Sequence, residues 1–231
     1  MKVLRIFVVL SLCLFTFCVN AQKRKSNEFD WDAKMKELGL MDVCFWEPSI
    51  QSYLVYATND NFTEKPLYNM KLTKAWLHPR ATRMLIRAQD LLQEERPDLS
   101  LLVLDAARPM EVQREMGKWA KLTNNEYYIA NPGKGGLHNY GLAVDVTLVG
   151  SDGIWLQMGT PFDYFGPEAN TDKEDELLRK RLITATELTN RRLLRRIMEK
   201  AGFTSVSSEW WHFNACRREE AAAKYILIDR D

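Results

Sequence analysis

The chain has 231 residues, with 32 Lys and Arg against 31 Asp and Glu. Met1–Ala21, read below as a processing signal, contains Lys2 and Arg5 and no acid, so residues 22–231 carry 30 cations, 31 anions and a net charge of −1. That balance argues against nucleic acid or an anionic membrane surface as the main partner, and the length suits one domain with a good core.

Lys2 and Arg5 form a basic start, Ile6–Cys18 an apolar run, and Val19-Asn20-Ala21 a small-residue cleavage site. The run is short for a membrane span and no later stretch is long and apolar enough, so no stable membrane insertion of the mature chain is expected. The expectation is an exported, periplasmic protein beginning near Gln22. Phe17, bulky where a lipoprotein signal wants a small residue, argues against a lipid anchor through Cys18. Cys44 and Cys216 remain; an oxidising compartment allows them to pair, and two buried thiols is an equal reading.

After a polar lead-in over Gln22–Asp32, the pattern predicts a short helix over Ala33–Leu40, stopped by Gly39. Ser52–Ala57 alternates and is aromatic, which predicts a strand, and Asn59–Asn61 turns the chain. Pro79–Glu95 is the clearest helix: Met84, Leu85, Ala88, Leu91 and Leu92 recur at helical spacing between Pro79 and Pro97. Leu99–Leu104 predicts a buried strand with a charged tip at Asp105 to Arg108, and Met110–Leu122 a second amphipathic helix. Asn131–Gly136 is a loop, and Leu142–Val149 a strand. Asp172–Arg181 and Asn190–Ala201 are helical, the latter closed by Gly202; Phe203–Ser207 and Glu209–Asn214 are strands. The class is α+β, a single compact domain with helices packed on a mostly antiparallel sheet.

Only three histidines occur, His78, His138 and His212. His138 and Asp145 flank Gly141, a spacing that suits a loop residue and a strand residue converging on one point. Spacing alone favours a plainer reading, a loop histidine and a strand aspartate paired to a cation. Glu209 and His212 enclose two tryptophans; on a strand, positions three apart point to opposite faces, so Glu209 must curl back from a frayed strand start to meet His212. Two imidazoles and a carboxylate suit a catalytic Zn²⁺ with one open position: His138, Asp145 and His212 as ligands, Glu209 off the metal as general base. Arg108 beside Pro109 is placed either to stabilise charge on a substrate or to pair with Asp105. Asp163, between Phe162 and Tyr164, either binds an ammonium or caps a turn. His78 has no nearby acid and is read as structural.

HNYGLAVD followed far downstream by EWWHF resembles the D-alanyl-D-alanine dipeptidase family of zinc peptidases, and further pieces around Tyr56, Asn61, Arg108, Met158 and Asn190–Gly202 follow in order across most of the mature chain. The resemblance implies one zinc per chain on His138, Asp145 and His212, Glu209 as catalytic base, and Arg108 at the transition state. It also implies Asp163 and Tyr56 around the amino terminus of a small dipeptide. Two positions depart: Gly136 and Ala107 stand where the family carries a serine and an aromatic residue. The implied reaction is hydrolysis of D-Ala-D-Ala or a similar dipeptide. The alternatives are a peptidoglycan stem-peptide carboxypeptidase or endopeptidase, or a non-catalytic cell-wall-binding module. Oligomeric state is not legible.

Overall fold

The computed structural model describes residues 28–69 and 71–230. The signal expected over 1–21, with the question of an anchor at Cys18, lies outside the described residues, as does the first part of the lead-in. Among the described residues no helix is long and apolar enough to cross a membrane.

Asp30 accepts from Ala33 N at 2.9 Å and so starts helix α1 (Trp31–Glu37) two residues before Ala33. Its buried face is Trp31 and Met35. Then come β1 (Met41–Asp42), α2 (Val43–Trp46) and β2 (Gln51–Ser52). β1 pairs antiparallel with β3 (Trp76–Leu77) in a two-stranded sheet. The strand expected over Ser52–Ala57 is corrected. Only Gln51–Ser52 joins a ladder, and Val55–Ala57 is a 3-10 turn. The Tyr56 carbonyl accepts from both Leu67 N and Tyr68 N at 2.8 Å, so the backbone there serves a loop and not a sheet.

α3 (Pro79–Glu95) has the predicted limits. His78 Nδ1 accepts from Arg80 N at 3.1 Å as its N-cap, with Pro79 at the first helical position. Ala81, Leu85, Ala88 and Leu92 form its buried stripe. β4 (Leu99–Asp105), α4 (Met110–Thr123) and β5 (Ala143–Gly150) follow, then α5 (Glu174–Arg179) and α6 (Ala185–Lys200). α6 begins five residues before Asn190 because Thr184 and Glu187 form a reciprocal capping box. β6 (Thr204–Ser205), β7 (His212–Asn214) and α7 (Arg218–Lys224) complete the chain.

The main sheet runs β2-β4-β5-β7-β6, antiparallel except for the parallel β2–β4 pair. This is the α+β class expected. Val144, Val146 and Leu148 of β5, with Leu101, Val103 and Phe213, join the main core beneath α3 and α6. On the other face Leu102, Leu104 and Val149 pack with Val55. Both faces are covered, which is why β4 and β5 read as nearly continuous apolar runs. By alternation Asp145 lies on the face away from the helices. Cys44 and Cys216 are free, partly buried thiols, so the disulfide is not formed.

Candidate active site

Three adjacent strands carry a polar row. Asp105 of β4 lies opposite Asp145 of β5, and Asp145 opposite His212 of β7. A register shift between Val103 and Asp105 turns the end of β4 so that its carboxylate joins the row. His138 arrives separately, on a 3-10 turn (Leu137–Tyr140) closed by Gly141 at φ +65°. A Cβ on Gly141 would also stand 3.0 Å from His78 N, against backbone, so this position requires glycine. The side chain of fully buried Asn139 braces the turn: its Oδ1 accepts from Gly136 N at 2.7 Å and its Nδ2 donates to the Arg108 carbonyl at 2.8 Å. Ile228 N donates to the Asn139 carbonyl, and Met110 N to the Ile228 carbonyl, both at 2.8 Å, so the apolar end of the chain clamps the same turn.

His138 Nε2 lies 3.3 Å from Asp145 Oδ1 and 3.1 Å from His212 Nδ1, which is itself 2.9 Å from Asp145 Oδ1. The outer nitrogens are spoken for. His138 Nδ1 faces the Ala106 carbonyl at 2.7 Å, and His212 Nε2 faces Asn214 Oδ1 at 2.8 Å. Both partners accept, so both outer nitrogens carry the hydrogen. That leaves two imidazole lone pairs and a carboxylate oxygen aimed at one another in a buried place, an arrangement that needs a cation among them. Without a metal the cation is a proton. Burial lowers the pKa of His212, but the hydrogen bond and charge of Asp145 outweigh it and raise the imidazole to about 9. Asp145 is held well below the usual carboxylate range, the two imidazoles overcoming its burial. Two nitrogens and one oxygen with fixed tautomers also fit zinc.

Glu209 precedes β7 instead of belonging to it, because the strand expected over Glu209–Asn214 starts only at His212. Its Oε2 lies 4.0 Å from His212 Nδ1, beside the His138–Asp145–His212 trio. Burial raises its pKa, with the charge of His212 opposing. Arg108 does pair with Asp105: Nε and Nη2 donate to Asp105 Oδ2 at 3.1 and 2.6 Å, while Nη1 donates to Gln113 Oε1 at 2.9 Å. The pairing aims the guanidinium without removing it from the site, over the Tyr56 ring at 5.1 Å. Tyr68 OH donates to Asp105 Oδ1. Tyr56 OH donates to Asp163 Oδ1 at 3.0 Å. Asp163 Oδ2 is sealed from solvent with no hydrogen-bond partner among the described residues. Burial, then the charge of Asp145, raises the Asp163 carboxyl well above its usual value.

All seven residues singled out from the sequence line one cavity of about 300 Å³. His78 stays outside, capping α3 and packing on Tyr225 at 4.7 Å between ring centroids. Sequence reasoning missed Gln113, Asn139, Asn214 and Tyr68. Asn214 had a signal, since it stands two residues from His212 on one strand and so shares its face. Asn139 had one too, standing next to His138 in the motif, whereas Gln113 and Tyr68 are joined to the site only by folding.

A family model described as D-Ala-D-Ala dipeptidase matches residues 36–227. A D-alanyl-D-alanine dipeptidase of Escherichia coli (strain K12) is 30% identical over 191 residues, covering 83% of this chain and 90% of that protein. One from Enterococcus faecium is 31% identical over 177 residues, covering 68% and 82%. With its ordered motifs on one cavity wall and a match across most of its length, the chain belongs to the D-Ala-D-Ala dipeptidase family of peptidases.

Proposed function

We propose that this protein is a zinc-dependent dipeptidase that hydrolyses D-Ala-D-Ala or a similar dipeptide, with Glu209 as general base. The observation that carries the reading is the trio of facing acceptor atoms on His138, Asp145 and His212, with the Glu209 carboxyl just outside it. These three residues would hold the metal. When bound, zinc polarises a carbonyl and makes water acidic enough to ionise near neutral pH.

The chain's own groups then have distinct tasks. Glu209, its pKa raised by burial, accepts a proton from water and returns it to the leaving amine. Arg108, held by Asp105 and Gln113, donates to the oxygen of the attacked carbonyl as negative charge grows there. Asp163 and Tyr56 receive the substrate ammonium, which supplies the buried Oδ2 with a donor. A cavity of about 300 Å³ stands at the small end of ligand sites, which favours a free dipeptide over a stem peptide. The basic start, apolar run and cleavage site of residues 1–21 support export to the periplasm.

The test is a metal-stripped, zinc-reconstituted assay on LL, LD and DD dipeptides, with N-acetyl-D-Ala-D-Ala and a stem-length peptide alongside. Zinc-dependent cleavage of free DD dipeptides is expected. Rapid cleavage of the blocked or long peptides would move the reading to a carboxypeptidase or endopeptidase, and a zinc-loaded protein inert to all of them would leave a non-catalytic module.

A further inference from the structure

A free dipeptide carries a charge at each end, and Asp163 can answer only one of them. The carboxylate end needs donors, preferably cationic ones. Two guanidinium groups line the cavity, Arg108 and Arg218. Arg108 gives one N–H from each guanidinium nitrogen to Asp105 or Gln113, and what remains of its fork serves the attacked carbonyl in the proposed reaction.

Arg218 is placed differently. It opens α7, which packs against the turn carrying His138. Its Nη2 donates to the Gly135 carbonyl at 2.7 Å, one residue before Gly136 in the cavity wall. That bond fixes the head of a long, exposed side chain at the cavity rim. The rest of the fork has no hydrogen-bond partner, and no carboxylate pairs with Arg218, among the described residues. By contrast Arg80, Arg96, Arg196 and Arg230 each hold a carboxylate at 2.9 Å or less.

The one backbone atom that Arg218 is seen to hold, the Gly135 carbonyl, is neutral. Ile129, Ala130 and Gly136 line the same cavity. Gly136 presents no side chain, and its N–H is already taken by Asn139. A guanidinium anchored by one nitrogen at the cavity rim, with no carboxylate paired to it among the described residues, is a receptor for a planar anion.

We propose that Arg218 binds the free C-terminal carboxylate of the dipeptide. The assignment rests on the dipeptidase reading of the site and adds to it a second gauge of substrate length. Asp163 reads the ammonium and Arg218 the carboxylate, so a substrate must present both charges at a dipeptide's separation.

The test compares D-Ala-D-Ala with its C-terminal amide, using zinc-reconstituted wild-type protein, Arg218→Met and Arg218→Lys. Wild type prefers the acid. Arg218→Met lowers the acid-over-amide ratio of kcat/KM by about ten- to a hundred-fold, the range of a hydrogen bond to a charged group. Arg218→Lys keeps part of the preference, because the charge remains while the fork is lost. If Arg218 only props the loop through Gly135, both substrates slow together and the ratio stands still; an unchanged ratio overturns the proposal whatever the absolute rates. Zinc content and thermal midpoint are measured on each variant, and should Arg218→Met fail to fold, Arg218→Lys carries the same comparison. A wild type that cleaves acid and amide equally sinks the Arg218 assignment alone, whereas one that cleaves no DD dipeptide sinks the dipeptidase reading and this assignment with it.

Discussion

Trp210 Nε1 donates to Thr160 Oγ1 at 2.8 Å, and this one bond joins the segment carrying Glu209 and His212 to the loop carrying Asp163. Trp211 adds a ring contact with Phe162, centroids 5.3 Å apart. The base of the loop is held from α6, where Asn190 Nδ2 donates to the Gln157 carbonyl at 2.8 Å and Arg191 Nε donates to that of Met158. Asp163 itself has φ +59°, a left-handed conformation that costs a non-glycine residue about 1–3 kcal/mol and persists only where neighbours enforce it. The tryptophans of Glu209-Trp210-Trp211-His212 therefore hold Glu209 and Asp163 in one register.

Thr160→Val keeps the shape and removes the acceptor, stranding the indole N–H of a tryptophan that is 4% exposed. We expect a stability loss of about 1–3 kcal/mol, the cost of an unsatisfied buried donor, and a raised KM with zinc affinity unchanged. Thr160→Ser keeps an acceptor and restores both. Denaturant melts with steady-state kinetics check this; a Val variant that matches wild type in both would show that the bond holds nothing in place.

Asn214 fixes the tautomer of His212 from the far side of the ring. Asn214→Ala frees the imidazole to turn, and partners of this kind are worth about 10–100-fold in metal affinity. Zinc affinity from chelator competition should fall within that range. Undiminished affinity would mean that the β5–β7 pairing alone orients the ring.

Much of this was legible because it is local. The stripe Leu85, Ala88, Leu92 and the flanking prolines set the limits of α3, and the apolar runs set β4 and β5. The candidate ligands were legible as chemistry, since His138 and His212 are two of only three histidines and Asp145 stands in one motif with His138. What stayed hidden depends on contacts distant in sequence. Ser52–Ala57 alternates like a strand, yet Leu67 and Tyr68 claim its backbone. The Thr184–Glu187 capping box is local and starts α6 at Ala185, five residues before the apolar spacing that predicts the helix. Arg108 reads from the sequence as either a substrate contact or a partner of Asp105, and folding pairs it with Asp105 while leaving it in the cavity wall.

Glu209→Gln tests the division of labour between ligands and base. The glutamate lies outside the close trio, so the amide should leave zinc stoichiometry intact. kcat should fall by roughly 10²–10⁴, the usual contribution of a positioned proton acceptor. Metal analysis beside turnover decides it: a variant that loses zinc would make Glu209 a ligand and the assignment of a base would fail.

Asp163 gives the pH dependence. Burial, reinforced by the charge of Asp145, raises its carboxyl well above the usual range, against the Tyr56 hydroxyl and Arg108. In the unfolded chain the proton leaves near pH 3.9 or so, roughly the ordinary aspartate value, while the folded chain keeps it to higher pH. Over that interval the folded state binds more protons, so the stability tied to this group is full below the ordinary carboxylate range and drains as pH rises towards the folded pKa. Asp163→Asn cannot titrate. In metal-stripped protein the unfolding free energy of Asp163→Asn, relative to wild type, should climb from about pH 4 upward and level off above the folded pKa, while in the zinc-loaded enzyme the same variant raises KM for the free dipeptide. Urea melts across the pH series measure the first effect. A difference that stays flat would mean that Asp163 ionises like an exposed aspartate, and the ammonium would then meet a carboxylate already charged and solvated instead of a sealed one waiting for a donor.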